Sequence, residues 1–245
     1  MLDLSRIKAI TLDLDDTLWP IWPTIERAEK LLQTWLQAHA PQTAVLFADP
    51  HARRELRDAT QLKWPMLAHD LSAMRRESIR LALQRMDEDP ALAELAFEVF
   101  FAARMQVTLF DDARPALAWL AQRYPIVAVS NGTANVHTIG IGEFFTGSVS
   151  ANDVGVGKPD VRIFEASAQS LGLEAPQILH VGDDANLDVI GALNAGMQTA
   201  WVNRTDHLWS QTQLPHVTVA TMLELCDVLA GPGNPGDGFI AQASK

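Results

Sequence analysis

The sequence predicts an α/β protein: a doubly wound parallel sheet interrupted by an inserted helical domain. Three observations predict it. Short, continuously apolar runs recur, each followed by a turn and a helical period. The stretch from about residue 19 to 108 carries helical periods and no strand. Polar residues suited to phosphate or metal chemistry stand at the ends of the apolar runs, where a parallel sheet places its chemistry.

Taken in chain order, the first apolar run is IKAITLDL (7–14), which leads into three acids, Asp13, Asp15 and Asp16. Continuous runs of this kind suit strands buried on both faces. The next segment breaks the rhythm. TIERAEKLLQTWLQAH places Ile25, Ala28, Leu32, Trp35 and Leu36 on one helical stripe, with Thr24 as the expected N-cap. Further helical patterns recur around 51–70, 71–86 and 91–106.

After residue 108 the alternation resumes. ARPALAWLAQRY sets Leu117, Leu120, Ala121 and Tyr124 on one face, with Pro115 acceptable in a first turn. PIVAVSN (125–131), QILHVGD (177–183) and MQTAWVN (197–203) read as buried strands, and GSVSAND (147–153) as a weaker one. DVRIFEASAQSLGL reads as a helix with Val161, Phe164, Ala168 and Leu171 inward, ending at Gly172. The tail GPGNPGDGFIAQASK (231–245) is rich in Gly and Pro and is expected to be loosely ordered.

Composition bounds the function. A chain of 245 residues that is 48% hydrophobic and 20% charged is ordinary for a globular protein with a sizeable core. A net charge of −11 argues against nucleic acid as a partner, because a phosphate backbone needs a basic face. A small phosphorylated ligand needs only a local positive site. No apolar run approaches the ~20 residues of a membrane span, and the N-terminus lacks the pattern of a signal peptide. The expected location is the cytoplasm. Cys226, the single cysteine, sits among apolar neighbours and reads as an inert buried thiol.

The strand ends carry the chemistry. The first offers Asp13 and Asp15, with Thr17 close behind; the second, Ser130, Asn131 and Gly132; the QILHVGD strand, Gly182 and Asp183, followed by Asp184 and Asp188. Lys158 stands ahead of that strand in GKPD. Carboxyl ends of neighbouring parallel strands converge, so these groups should share one crevice. Asp13 and Asp183 can then hold a hard divalent cation, and Mg²⁺, with oxygen ligands at about 2 Å, is the natural choice. Along an extended strand Asp13 and Asp15 point the same way, so one carboxylate can attack while the other handles protons. Ser130 and the N–H groups of the Asn131–Gly132 turn can hold phosphate oxygens.

Together these residues resemble the haloacid dehalogenase-like (HAD) hydrolases. DLDDT matches the family's Asp-x-Asp-x-Thr at Asp13, Asp15 and Thr17; VAVSNGT matches its second motif at Ser130; KPD its third at Lys158; and GDDANLD its fourth at Gly182, Asp183 and Asp188. The resemblance covers roughly 1–18 and 109–230 as a Rossmann-like catalytic core. Residues 19–108 fall where the family inserts its helical C1 cap. It implies that Asp13 is the nucleophile and forms an aspartyl-phosphate, and that Asp15 is the acid and then the base. It implies Mg²⁺ on Asp13, Asp183 and the carbonyl of Asp15. Ser130 and Lys158 would bind the phosphoryl group, Thr17, Asn131 and Gly132 would assist, and Asp188 would orient Lys158 or a metal-bound water.

Within the family, DLDDTLW, ILHVGDDANLDVIGALNAGMQTAWVNR and LPHVTVATMLEL look like a bacterial subgroup. Its members dephosphorylate 5-amino-6-(5-phospho-D-ribitylamino)uracil, and also flavin mononucleotide. The expected partner is therefore a small phosphate ester.

Other residues take plainer readings. Asp16 and Asp184 are read as solvated or hydrogen-bonding neighbours, His180 as a core residue, and Arg53–Arg54 and Arg75–Arg76 as solvated surface. His137 is a weak candidate for substrate contact. Trp19 and Trp22 fit pocket lining and hinge packing equally. Three rival functions remain on this sequence: a haloacid dehalogenase, a phosphomutase, and a phospho-acceptor signalling module. Asp15 speaks against the first, since halide departure needs no proton donor. Length and the inserted helices speak against the last.

Overall fold

The computed structural model describes residues 1–231; all but the first residue of the Gly- and Pro-rich tail lies outside the described residues. The chain opens with β1 (Ala9–Leu12) and runs through five helices, α1 (Ile21–His39), α2 (Pro41–Ala48), α3 (Pro50–Lys63), α4 (Leu71–Arg85) and α5 (Leu92–Arg104). It continues with α6 (Ala113–Ala121), β2 (Ile126–Ser130), α7 (Val136–Ile139), β3 (Gly147–Ser150), α8 (Ala151–Val154) and α9 (Val161–Leu171). Last come β4 (Ile178–Gly182), α10 (Gly191–Asn194), β5 (Gln198–Val202), β6 (Val217–Val219) and α11 (Met222–Ala230). Two compact units result. Residues 1–20, 109–131 and 136 onward form one, and 21–108 with 132–135 form the other.

The first unit is a six-stranded parallel sheet in the order β3-β2-β1-β4-β5-β6. β1, β2, β4 and β5 are buried along their whole length, which is why their sequences are unbroken apolar runs. β1 lies between β2 and β4, with Leu12 in register with Ala128 on one side and Val181 on the other. The strand order reverses at β1, so a crevice opens beyond its carboxyl end.

Helix boundaries follow local chemistry. Asp160 caps α9 by accepting the Arg162 N–H at 3.0 Å. Gly172 ends the same helix in the left-handed region, at φ +64°, and the Leu173 N–H returns to the Ala168 carbonyl.

Several expectations are corrected. Helix α1 begins at Ile21, so Thr24 lies inside the helix, buried, and is not its N-cap. Proline at position 23 is tolerated in that first turn, which lets the helix start earlier than the apolar stripe does. In α6, Ala113 and Ala116 join Leu117 and Leu120 inside, and Ala121 faces solvent. The inward face of α9 is Ile163, Phe164, Ser167 and Ala168, with Val161 and Leu171 at its half-buried edges. The weak strand stops at Ser150, whose side chain caps α8. The short strand β6 carried no apolar run and went unforeseen.

The second unit is helical, with Leu32, Leu36, Leu56, Ile79, Leu83 and Phe97 in its core. Arg75 and Arg76 are half-buried, not fully solvated: their guanidinium groups lie over Phe100 at 4.2 Å and Phe97 at 3.8 Å. Among the described residues no helix is long and apolar enough to cross a membrane.

Candidate active site

Residues 13 to 19 turn sharply away from the sheet. The Asp13 N–H still bonds the Val181 carbonyl at 2.9 Å, as the last rung between β1 and β4. Asp16 then adopts φ +58°, a left-handed conformation that a short polar residue tolerates. The Leu18 N–H returns to the Leu14 carbonyl. Asp13 and Thr17 thereby face the ends of the neighbouring strands.

The structure brings Asp13, Lys158, Asp183, Asp188 and Thr17 together. The Lys158 ammonium donates to Asp13 Oδ1 and, at 2.6 Å, to Asp188 Oδ1. Lys158, Asp13 and Asp188 are all buried. The Thr17 hydroxyl lies 3.2 Å from Asp13 Oδ2 and 3.1 Å from Asp183 Oδ1. Thr17, expected among the phosphate-binding groups, is fully buried with its hydroxyl turned to these two carboxylates. Asp15 is half-buried, and its Oδ1 accepts the Trp19 indole N–H at 2.8 Å. Trp19 is fully buried, whereas Trp22 is 76% exposed.

Ser130 closes β2 and is buried. Asn131, next in the chain, uses its side chain on the lysine segment. Its amide oxygen accepts the Lys158 N–H at 2.6 Å, and its amide nitrogen donates to the Lys158 carbonyl at 2.9 Å. Gly157 permits this approach, since any Cβ there would meet the Asn131 amide at 2.6 Å. Gly132 begins the short segment 132–135 that belongs with the helical unit.

Electrostatics follow from burial. Burial first, then the negative charge of Asp188, pushes the Asp13 carboxyl up to about 7 against the pull of Lys158. Burial, with Asp13 and Asp188 beside it, pushes Asp183 up to about 8. For Asp188 burial is outweighed by the Lys158 ammonium and the His180 hydrogen bond, which hold it well below the usual range. Lys158 is held protonated by its two carboxylates in spite of burial. The Cys226 thiol, pushed up to about 12 by burial, is inert.

This donor set fits a divalent cation. Asp13, Asp183 and Asp188 each offer a carboxylate oxygen, all within 4.8 Å of one another. Were all three ionised, one ammonium would leave two negative charges uncompensated, and every donor is a hard oxygen. Crowded like charges that rise to about 7 and 8 alone are what a bound ion relieves.

Sequence reasoning missed four supports. The Trp201 indole donates to the Asp183 carbonyl at 2.6 Å. Arg204 donates to the Thr17 carbonyl at 2.9 Å, pairs with both oxygens of Asp112 at 3.0 Å, and lies over Phe110. The Asp112 carboxylate in turn accepts the Met222 N–H at 2.7 Å. His180 bonds Asp188 and Thr11. The position of Arg204, just past a strand end, was the available signal.

Known proteins show similarity over most of the chain. The family model described as haloacid dehalogenase-like hydrolase matches residues 7–196. The 5-amino-6-(5-phospho-D-ribitylamino)uracil phosphatase YigB of Escherichia coli is 31% identical over 234 residues, 92% of this chain and 98% of that protein. A phosphoserine phosphatase of Thermus thermophilus is 27% identical over 223 residues, 81% of this chain and 89% of that one. Among solved structures, a 2-haloacid dehalogenase from Pseudomonas syringae has a TM-score of 0.87 and 34% identity, covering 91% of this chain and 98% of that one.

The cation reading makes a stability prediction. A carboxyl whose folded-state value lies above its unfolded one binds more protons when folded, so stability falls as pH rises through that interval. For Asp13 and Asp183 the interval runs from 3.8 to about 7 and about 8. Below 6.5 the buried His180, held neutral by burial, works the other way, so the range above 6.5 isolates the carboxylates. Chelated protein is expected to lose on the order of a few degrees of Tm from pH 6.5 to 8. Added Mg²⁺ should raise Tm more at pH 8 than at pH 6.5. A flat profile with no ion effect at pH 8 would remove the cation from the site.

Proposed function

The chain belongs to the haloacid dehalogenase-like hydrolases, and from that premise we propose that it is a Mg²⁺-dependent phosphatase of small phosphate esters that works through an aspartyl-phosphate. The observation that carries this reading is the Asp13–Lys158–Asp188 cluster beside Asp183, with Asp15 two residues beyond Asp13.

Asp13 attacks phosphorus and the ester P–O bond breaks. Asp15 gives its proton to the departing alkoxide oxygen, so the alcohol leaves neutral. Asp15, now a carboxylate, takes a proton from water as that water's oxygen attacks the phosphoryl group. The bond from phosphorus to Asp13 breaks, and inorganic phosphate and the Asp13 carboxylate are restored. Lys158 offsets the negative charge gathered on Asp13 and the phosphoryl oxygens throughout. Ser130 and the N–H of Asn131 hold those oxygens. Trp19 aims the Asp15 carboxyl through its indole N–H. Asp13, Asp183 and the carbonyl of Asp15 would hold Mg²⁺, which would supply charge neutralisation between the carboxylates and the incoming dianion.

The substrate reading follows the name of the E. coli relative, the ribitylaminouracil phosphate; flavin mononucleotide, implied by the sequence resemblance alone, is a second candidate. A dehalogenase reading has its own support in the solved structure at 34% identity. The excess of carboxylate charge and the proton donor at Asp15 favour phosphate, because neither is needed to expel a halide.

Three outcomes are expected. Asp13→Asn should lower turnover of 4-nitrophenyl phosphate by at least about 10³-fold with the fold intact by circular dichroism; retained activity would dismiss Asp13 as nucleophile. Asp15→Asn should slow release of phosphate more than its transfer, so that acid-quenched protein keeps ³²P label; unlabelled protein with normal kinetics would remove the acid–base role. In a kcat/KM panel the ribitylaminouracil phosphate should lead flavin mononucleotide, sugar phosphates and nucleotides, with no halide released from 2-chloropropionate. Halide release with no phosphate release would turn the assignment to dehalogenase.

A further inference from the structure

Thr11 and His180 face each other in register on β1 and β4, and both are buried. The reaction sequence above uses neither. A polar pair in the middle of an otherwise apolar sheet needs its hydrogen bonds accounted for.

His180 Nδ1 lies 2.9 Å from Thr11 Oγ1, and His180 Nε2 lies 3.2 Å from Asp188 Oδ1. That oxygen also takes the Lys158 ammonium. An ionised carboxylate only accepts hydrogen bonds, so the ring nitrogen facing it must carry the hydrogen. The other nitrogen of a neutral ring is then an acceptor, and the Thr11 hydroxyl is the donor that satisfies it. Reversing the tautomer would set two acceptors face to face at 3.2 Å. The edge-on contact of Phe164, 5.0 Å between ring centres at 88°, fixes the imidazole plane.

The second oxygen of Asp188 is fixed separately, by the Asp184 N–H at 3.0 Å. Gly182 lets the carboxylate lie flat against the strand, since a Cβ there would collide with the Asp188 side chain. Asp188 is therefore held at both oxygens, and Lys158 bridges from it to the nucleophile.

We propose that His180, backed by Thr11, is a positioning residue for phosphoryl transfer: its Nε2–H fixes the Asp188 carboxylate, and so keeps the Lys158 ammonium on Asp13. It touches no substrate. The proposal rests on the phosphatase reading. Without His180, Oδ1 of Asp188 has Lys158 as its remaining partner, and the ammonium is drawn from the nucleophile toward it. The effect falls on the chemical step more than on binding.

The test pairs His180→Phe, which keeps a ring against Phe164 but has no hydrogen bonds, with His180→Gln, which can carry an amide N–H to Asp188. His180→Phe should lower kcat for 4-nitrophenyl phosphate by about 10- to 100-fold with KM within about threefold, a size typical of misplaced supporting groups. His180→Gln should recover most of that loss. In ¹⁵N-histidine-labelled wild-type protein, the resonance that disappears in His180→Gln should show a hydrogen on Nε2 and none on Nδ1. Three results overturn the proposal: an unchanged kcat in His180→Phe, equal losses in both variants that track Tm, or an Nδ1–H tautomer. Failure of the phosphatase reading shows differently, as turnover that survives Asp13→Asn.

Discussion

The site depends on one buried ammonium shared between two carboxylates. Lys158 reaches Asp13 from one direction and Asp188 from another, with almost no solvent to screen either contact. Breaking such a pair by removing one partner costs about 3–5 kcal/mol, because the charge left behind has nowhere to go. Lys158 is therefore committed to its place by electrostatics before any ligand arrives. Asp13 and Asp183, which share one hydroxyl at Thr17, are the carboxyls of the cluster that the proposed reaction draws on.

Topology explains why these residues meet at all. β1 is central, its neighbours come from distant parts of the chain, and the order of strands reverses around it. A side chain just past β1 is flanked by the ends of β2 and β4 without any special loop. The supports then come from whatever the sheet sets nearby. Trp201 steadies Asp183 from β5, Arg204 steadies the Thr17 carbonyl from just beyond β5, and Trp19 steadies Asp15 from within its own turn. Each is a large side chain giving an N–H to an oxygen of the turn after β1 or of the end of β4.

The candidate site residues were legible in the sequence because strand ends advertise themselves: an apolar run stops and an acid, a hydroxyl or a glycine follows. Asp13, Ser130 and Asp183 could be read that way, and Lys158 by its place before a helix start. The supports could not. His180 sits in mid-strand, where alternation says only that it is buried, and its partners Thr11 and Asp188 are 169 and 8 residues away in the chain. Thr17 was legible as a motif residue but not in direction, because a turn with a left-handed residue at Asp16 decides where its hydroxyl points. β6 is three residues long with an exposed centre, too little for a period. Arg75 and Arg76 looked like surface because a helical wheel does not show which aromatic rings another helix will bring beneath them.

The Asn131 side chain grips both the N–H and the carbonyl of Lys158, at a point where Gly157 leaves no room for a Cβ. The tip of β2 and the lysine loop are in consequence one mechanical part. A substitution that shifts the turn after β2 therefore carries the Lys158 backbone with it, so the placing of that turn and the placing of the buried ammonium are not independently adjustable in this scaffold.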